Sequence, residues 1–277
     1  MGVKTKLDLN KINSYFKDYE FICSFYTKDG ISDTVYLLKD KKSNYILKLY
    51  ENSSFYEVEE EILILKSIEK LNVPRVLNYC KIYEKPLVLF SYNKSSKIKK
   101  ITKKHLSQIG IFLKKLHHIK IDYLIHKSFN IDELITELHK QEFSCINQEF
   151  FLRYEYIKDL KLNNDTLIHA DIFPDNVSFY DNKLNGVFDF AHSCISDRNI
   201  DLAIVIISWC FNNQKFDFEL IDTFLNSYCN NIKLNDLKKY LLYVSLYFSI
   251  KRYINIINKN YKNVSYKEFI FIFDEIN

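Results

Sequence analysis

Leu167-Ile168-His169-Ala170-Asp171-Ile172-Phe173-Pro174-Asp175-Asn176-Val177 is the stretch on which the reading turns, and Gly186-Val187-Phe188-Asp189-Phe190 follows shortly after it. An apolar run leads into a His-x-Asp, an Asn stands five positions beyond that Asp, and a second apolar run closes on Asp189. A single Asp or Asn in a loop is ordinarily a turn former or a helix cap. Here several such groups share one short loop and the end of the strand behind it. Phosphoryl transfer asks for that inventory: a carboxylate at the acceptor hydroxyl, hard oxygen ligands for Mg²⁺, and cations on the phosphates. Asp171 is the candidate catalytic carboxylate. Asn176 and Asp189 are the candidate Mg²⁺ ligands.

Upstream, the chain reads as strands around one helix. Residues 20–26, 34–38 and 45–50 are apolar or aromatic runs, with the turn signal Thr27-Lys28-Asp29-Gly30 between the first two and a polar loop, 39–44, between the second and third. Over 55–71, Val58, Ile62, Leu65 and Ile68 recur at helical spacing behind a Glu-rich first turn that suits the helix dipole. Val73-Pro74 ends that helix, and strands are predicted over 76–83 and 86–92. The expected order is β-β-β-α-β-β, a mainly antiparallel sheet with one helix.

Residues 93–104 are lysine-rich and poor in large apolar side chains, which marks a boundary between lobes. Downstream the pattern is mainly helical: helices are predicted over 105–118, 131–139, 149–160, 200–211, 216–229, 236–258 and 265–276, interrupted by the section 166–190 that carries the motif. The expected class is α+β with two lobes, residues 1–92 and 93–277.

Composition narrows the alternatives. The chain has 277 residues, 47% of them hydrophobic, enough for a substantial core. Its formal net charge of +4 comes from lysines spread along the whole length, which does not make a nucleic-acid-binding face. The six cysteines are widely spaced and form no CxxC, so reduced thiols in a cytoplasmic setting are expected. No apolar run approaches the ~20 residues needed to span a bilayer, and no membrane association is expected. His169-Ala170-Asp171 lacks a second His cluster at ligand spacing, which argues against a transition-metal site.

The run from His169 to Asn176, followed by Asp189, resembles the catalytic loop and metal-binding Asp of the aminoglycoside and choline kinase-like superfamily, which has the two-lobed protein-kinase architecture. Within it, these segments and Asp201-Leu202-Ala203-Ile204 through Ser208-Trp209-Cys210-Phe211 look most like the bacterial type II homoserine kinases. Gly30 to Tyr36 and Ile46 to Glu51 look like the N-terminal lobe of the same family. The resemblance implies ATP and Mg²⁺ as cofactors and a small hydroxyl-bearing acceptor, with L-homoserine leading. Choline, ethanolamine, methylthioribose and aminoglycosides are the sibling alternatives.

Carried over residue by residue, Asp171 and His169 are the catalytic-loop pair, the histidine as organiser of the loop. Lys48 holds the phosphates, with Glu60 as its helix partner, Glu57 as the alternate and Glu61 left open beside them. Ser32 or Thr34 and the backbone around them cover the phosphates, and the adenine meets the chain near Phe90 to Tyr92. Asp201 braces the site from the following helix. One departure from the family pattern stands out: Ala191-His192 follows Asp189-Phe190 where large aromatics are usual. For an amino-acid acceptor, Arg198, His192, Asp175 and Asp197 are near enough in sequence to be considered.

Overall fold

A polar strap and an alternating sheet build the first part of the chain. The computed structural model describes residues 4–27, 33–96, 98, 100–123, 125–141, 145–258 and 265–277, with only the backbone of Cys145. They form two compact units: Met1–Lys97 with Val177–Ala191, and Ile98–Asn176 with His192–Asn277. The division expected at 92/93 thus falls slightly later, and a stretch placed by sequence in the second lobe belongs to the first unit. Sequence order hides this, because the Val177–Ala191 segment folds back by backbone bonding: Val187 N–H donates to Asn72 O at 2.8 Å and Ser96 N–H to Phe179 O at 2.7 Å.

In the first unit, α1 (Leu9–Tyr15) starts at Asp8, whose side chain accepts the N–H of Lys11 at 2.8 Å. β1 (Cys23–Tyr26), β2 (Thr34–Lys39), β3 (Asn44–Leu49), α2 (Phe55–Ser67), β4 (Val76–Ile82) and β5 (Lys85–Ser91) follow in the expected order. The strands pair antiparallel in the order β1-β2-β3-β5-β4. On β2, Thr34, Tyr36 and Leu38 are buried while their neighbours are less so, the period-two pattern of a sheet with one face on the core. That core joins Tyr36, Leu38, Leu47, Leu49, Leu87 and Leu89 to Ile12, Phe16 and Phe21 of the N-terminal segment. The sequence reading did not assign α1.

The capping box of Ser54 and Glu57 fixes the start of α2: the Ser54 hydroxyl accepts Glu57 N–H at 3.2 Å, and the Glu57 carboxylate accepts Ser54 N–H at 2.7 Å. The helix stops at Ser67 rather than at Leu71, because Leu71 N–H turns back to Ile68 O at 2.8 Å in a tightened last turn.

The second unit opens with α3 (Lys103–Leu116), α4 (Ile131–His139), α5 (Cys145–Tyr154) and β6 (Thr166–Ile168). The helix predicted over 149–160 lies earlier, with short-range bonds such as Ile157 N–H to Tyr154 O at 3.0 Å replacing its expected second half. The chain then enters the first unit as the hairpin β7 (Val177–Tyr180) and β8 (Lys183–Val187), turned by Asp181 and Asn182, both at positive φ. Back in the second unit, β9 (Cys194–Ser196) pairs antiparallel with β6. The helices α6 (Arg198–Trp209), α7 (Phe218–Tyr228), α8 (Lys238–Ile257) and α9 (Lys267–Ile276) complete it. α6 is buried along nearly its whole length. Among the described residues, no helix is long and apolar enough to cross a membrane, and Cys23, Cys80, Cys194, Cys210 and Cys229 are free thiols.

Candidate active site

Lys48 is the centre of charge in the first unit. It sits on β3, where it pairs with Val35 and Val88 of the flanking strands. Its ammonium lies 3.0 Å from Asp189 Oδ1 and 3.4 Å from Asp33 Oδ2, and 4.4 Å from the centre of the Tyr50 ring. Burial alone would favour the neutral amine. The charges of Asp189, Tyr50, Glu61 and Asp33 outweigh it and hold the Lys48 pKa well above its ordinary value. Asp189 follows β8 with φ at 62°, a left-handed conformation that non-glycine residues adopt at a cost of roughly 1–3 kcal/mol. Such strain persists only where the surrounding fold imposes it, and here it accompanies the Lys48 contact.

Of the three glutamates Glu57, Glu60 and Glu61 that the sequence leaves open, Glu61 is the one whose charge helps to raise the Lys48 pKa. Glu61 Oε2 accepts the buried Tyr50 hydroxyl at 2.9 Å, and its charge raises the pKa of both Tyr50 and Lys48. Glu60 is also buried, but its influence falls on Tyr56, one turn earlier on the helix. Glu60 and Glu61 differ in helical phase, since adjacent positions point about 100° apart.

Thr34 is corrected. It is fully buried, and its hydroxyl donates to Glu51 Oε1 while accepting Lys4 N–H at 3.0 Å and Thr5 N–H at 3.4 Å. A hydroxyl has one donor and two acceptor sites, so none remains for a phosphate. Ser32 lies outside the described residues. Phe90 is buried in β5, where it pairs with Ile46 and Val76, so its side chain is core. Tyr92 is partly exposed beyond that strand and lines a cleft of about 540 Å³ with Asn72, Arg75, Asn93 and Asn185.

In the second unit the catalytic loop is held from below. Asp201, fully buried on α6, accepts the N–H of His169 on Oδ2 and of Ala170 on Oδ1, each at 2.8 Å. His117 Nε2 lies 3.1 Å from Asp201 Oδ2, and the Tyr228 hydroxyl is 2.9 Å from His117 Nδ1. His169 has no exposed surface, and its Nδ1 accepts Asp171 N–H at 3.2 Å. It therefore organises the loop and is out of a substrate's reach. Trp209 Nε1–H donates to Ile172 O at 2.9 Å, fixing the next residue of the loop.

Asn176 Nδ2 donates to the main-chain oxygen of Asp171 and to its Oδ2, both at 2.8 Å. That orients the Asp171 carboxylate, and it turns the amide so that Oδ1, a hard oxygen donor, points away from Asp171. Asn176 fits Mg²⁺ by donor chemistry, and so does the carboxylate of Asp189.

An aromatic wall stands beside the loop. Tyr247 on α8 stacks on Phe129 at 3.9 Å between ring centres. Phe248 meets Phe173, two residues after Asp171, edge-on at 4.9 Å. Burial raises the Tyr247 phenol above its ordinary pKa, and the charges of Cys194, Tyr243, Glu133 and Asp171 push in the same direction. Sequence reasoning missed this wall and the place of Asp33 beside Lys48, and left Glu61 as one of three glutamates for that lysine. In a chain with 21 Tyr and 22 Phe, aromatic residues carry no local signal.

Known proteins resemble this chain in sequence and in fold. A homoserine kinase from Paramagnetospirillum magneticum is 25% identical over 247 residues, 77% of this chain and 74% of that protein. Among solved structures, the choline kinase LicA from Streptococcus pneumoniae superposes with a TM-score of 0.69 at 16% identity, over 96% of this chain and 95% of that one. A thermostable mutant of the aminoglycoside phosphotransferase APH(4)-Ia, in ternary complex with AMP-PNP and hygromycin B, gives 0.71 at 9% identity, over 96% and 97%. These likenesses show the protein-kinase-like fold. Residues 27–240, well over half of the sequence, match the phosphotransferase enzyme family, and this chain belongs to that family.

Proposed function

We propose that this phosphotransferase, which acts on a hydroxyl, transfers the γ-phosphoryl group of ATP to the side-chain hydroxyl of L-homoserine, a step of threonine biosynthesis. The observation that carries the reading is the Asp171–Asn176 pair, in which the amide nitrogen fixes the carboxylate and leaves the amide oxygen for a cation. Asp171 accepts the hydroxyl proton as the oxygen attacks phosphorus, and the leaving oxygen departs with ADP. Lys48 neutralises phosphate oxygens. Its bond to Asp189 is charge-assisted and exchangeable for a phosphate contact. Asn176 and Asp189 are the residues that would hold Mg²⁺, which supplies charge neutralisation at the phosphates. The homoserine kinase name of the relative above supports the acceptor.

A second reading, choline or a related amine, is supported by the likeness of fold to the choline kinase LicA. A coupled ADP-release screen over homoserine, choline, ethanolamine, methylthioribose and kanamycin decides between them. Turnover with homoserine, lost by at least ~10²-fold in Asp171→Asn, is the expected result. Turnover confined to an amine or an antibiotic would sink the homoserine reading.

A further inference from the structure

Lys251 lies one helical turn beyond Tyr247 on α8. Its ammonium stands 3.5 Å from Nε2 of His192 and 5.8 Å from the centre of the Tyr247 ring. His192 is anchored to the catalytic loop through its neighbour, because the Ser193 hydroxyl donates to His169 O at 3.2 Å. Tyr247 is tied to the same region by its edge-on packing with Phe248 at 5.4 Å, the residue that meets Phe173. The aromatic wall beside Asp171 therefore ends in a lysine and an imidazole whose nitrogens converge.

A lysine ammonium and an imidazole in one place can together take an anion. With the proton on Nε2, His192 and Lys251 both offer N–H to one anionic oxygen pair. With it on Nδ1, His192 accepts from Lys251 and orients the ammonium.

Arg198, the other nearby cation, acts on the buried Tyr228 phenol, where its charge opposes the rise in pKa that burial causes.

We propose that Lys251, with His192, binds the carboxylate of the acceptor, which makes L-homoserine and similar short hydroxy amino acids the favoured class and disfavours cationic acceptors. This deepens the homoserine reading and rests on it for the identity of the hydroxyl. A fixed ammonium beside the acceptor repels choline and the polycationic antibiotics, so charge decides between acceptors.

The test compares L-homoserine with its carboxamide, which keeps the hydroxyl and the amine and removes the negative charge. In the full chain, Lys251→Met is expected to raise KM for homoserine by ~10–100-fold and leave KM for ATP within about twofold. It should also abolish the preference for the acid over the amide, whereas Lys251→Arg keeps that preference. His192→Gln, at an exposed position, is the milder variant, with an expected rise of ~3–10-fold. If Lys251→Met turns over homoserine with the wild-type preference for the acid, the carboxylate site is overturned and the homoserine reading stands. If the wild type phosphorylates choline or kanamycin and not homoserine, both fall together.

Discussion

The buried carboxylate of Asp201 accepts the backbone N–H of Ala170 at 2.8 Å, and Ala170 is held at φ 63°. A left-handed alanine costs roughly 1–2 kcal/mol. The carboxylate, which also receives His169 N–H, offsets that cost and sets the turn that presents Asp171. Behind it, burial pushes the Tyr228 phenol up to about 12, so it stays protonated against His117 Nδ1 at any physiological pH.

Asp201→Asn keeps the shape and removes the charge, and an amide can accept only one of the two loop N–H groups. Unfolding stability should fall by ~2–4 kcal/mol, as for other buried groups that lose a hydrogen-bonded partner. The kcat should fall by at least tenfold while KM for ATP stays near wild type. A variant with wild-type kcat would show that the loop holds its shape without this carboxylate.

Glu61 and Glu60 separate cleanly by experiment. Glu61→Gln removes the charge beside Lys48 and weakens the bond to the Tyr50 hydroxyl. It is expected to raise KM for ATP and lower kcat, together about tenfold in kcat/KM, the size of one charge-assisted contact. Glu60→Gln should change kcat/KM less than threefold. Steady-state kinetics with the opposite ranking would restore Glu60 as the lysine's partner.

Glu51 ties the N-terminal strap to the sheet. It accepts Thr5 N–H at 2.9 Å and the Lys85 ammonium at 2.6 Å, besides the Thr34 hydroxyl. Burial disfavours its charge, yet the hydrogen bonds from Lys85, Thr34 and Thr5 win and hold its pKa below the ordinary 4.5. A depressed carboxylate contributes stability that is present above its unfolded value and lost as pH falls through the folded one. Glu51→Gln should therefore cost ~1–3 kcal/mol at neutral pH and less below about pH 4. Urea denaturation at both pH values checks this, and an equal loss at both would refute the linkage.

The catalytic loop was legible because its chemistry is local: Asp171 and Asn176 are five residues apart and bond each other directly. Lys48 and Asp189 were found as separate motifs, and their 3.0 Å contact spans 141 residues. Thr34 misled because the groups that consume its hydroxyl come from Lys4 and Thr5, some thirty positions away. The choice among Glu57, Glu60 and Glu61 stayed open because a cluster of glutamates at a helix start fixes the helix and not its rotation. Lys251 left no mark in the sequence, standing 59 residues from His192.

The sequence by itself determined the β-β-β-α-β-β order that follows α1, the mainly helical remainder, the loop carrying Asp171 and Asn176, and the presence of a strand lysine, because periodicity and short motifs act over a few residues. Tertiary structure alone decided which glutamate serves Lys48, that Thr34 belongs to the strap, that His169 is sealed inside the loop, and that Lys251 meets His192. Those outcomes depend on which faces of distant elements pack together, and burial and charge pairing act through space rather than along the chain.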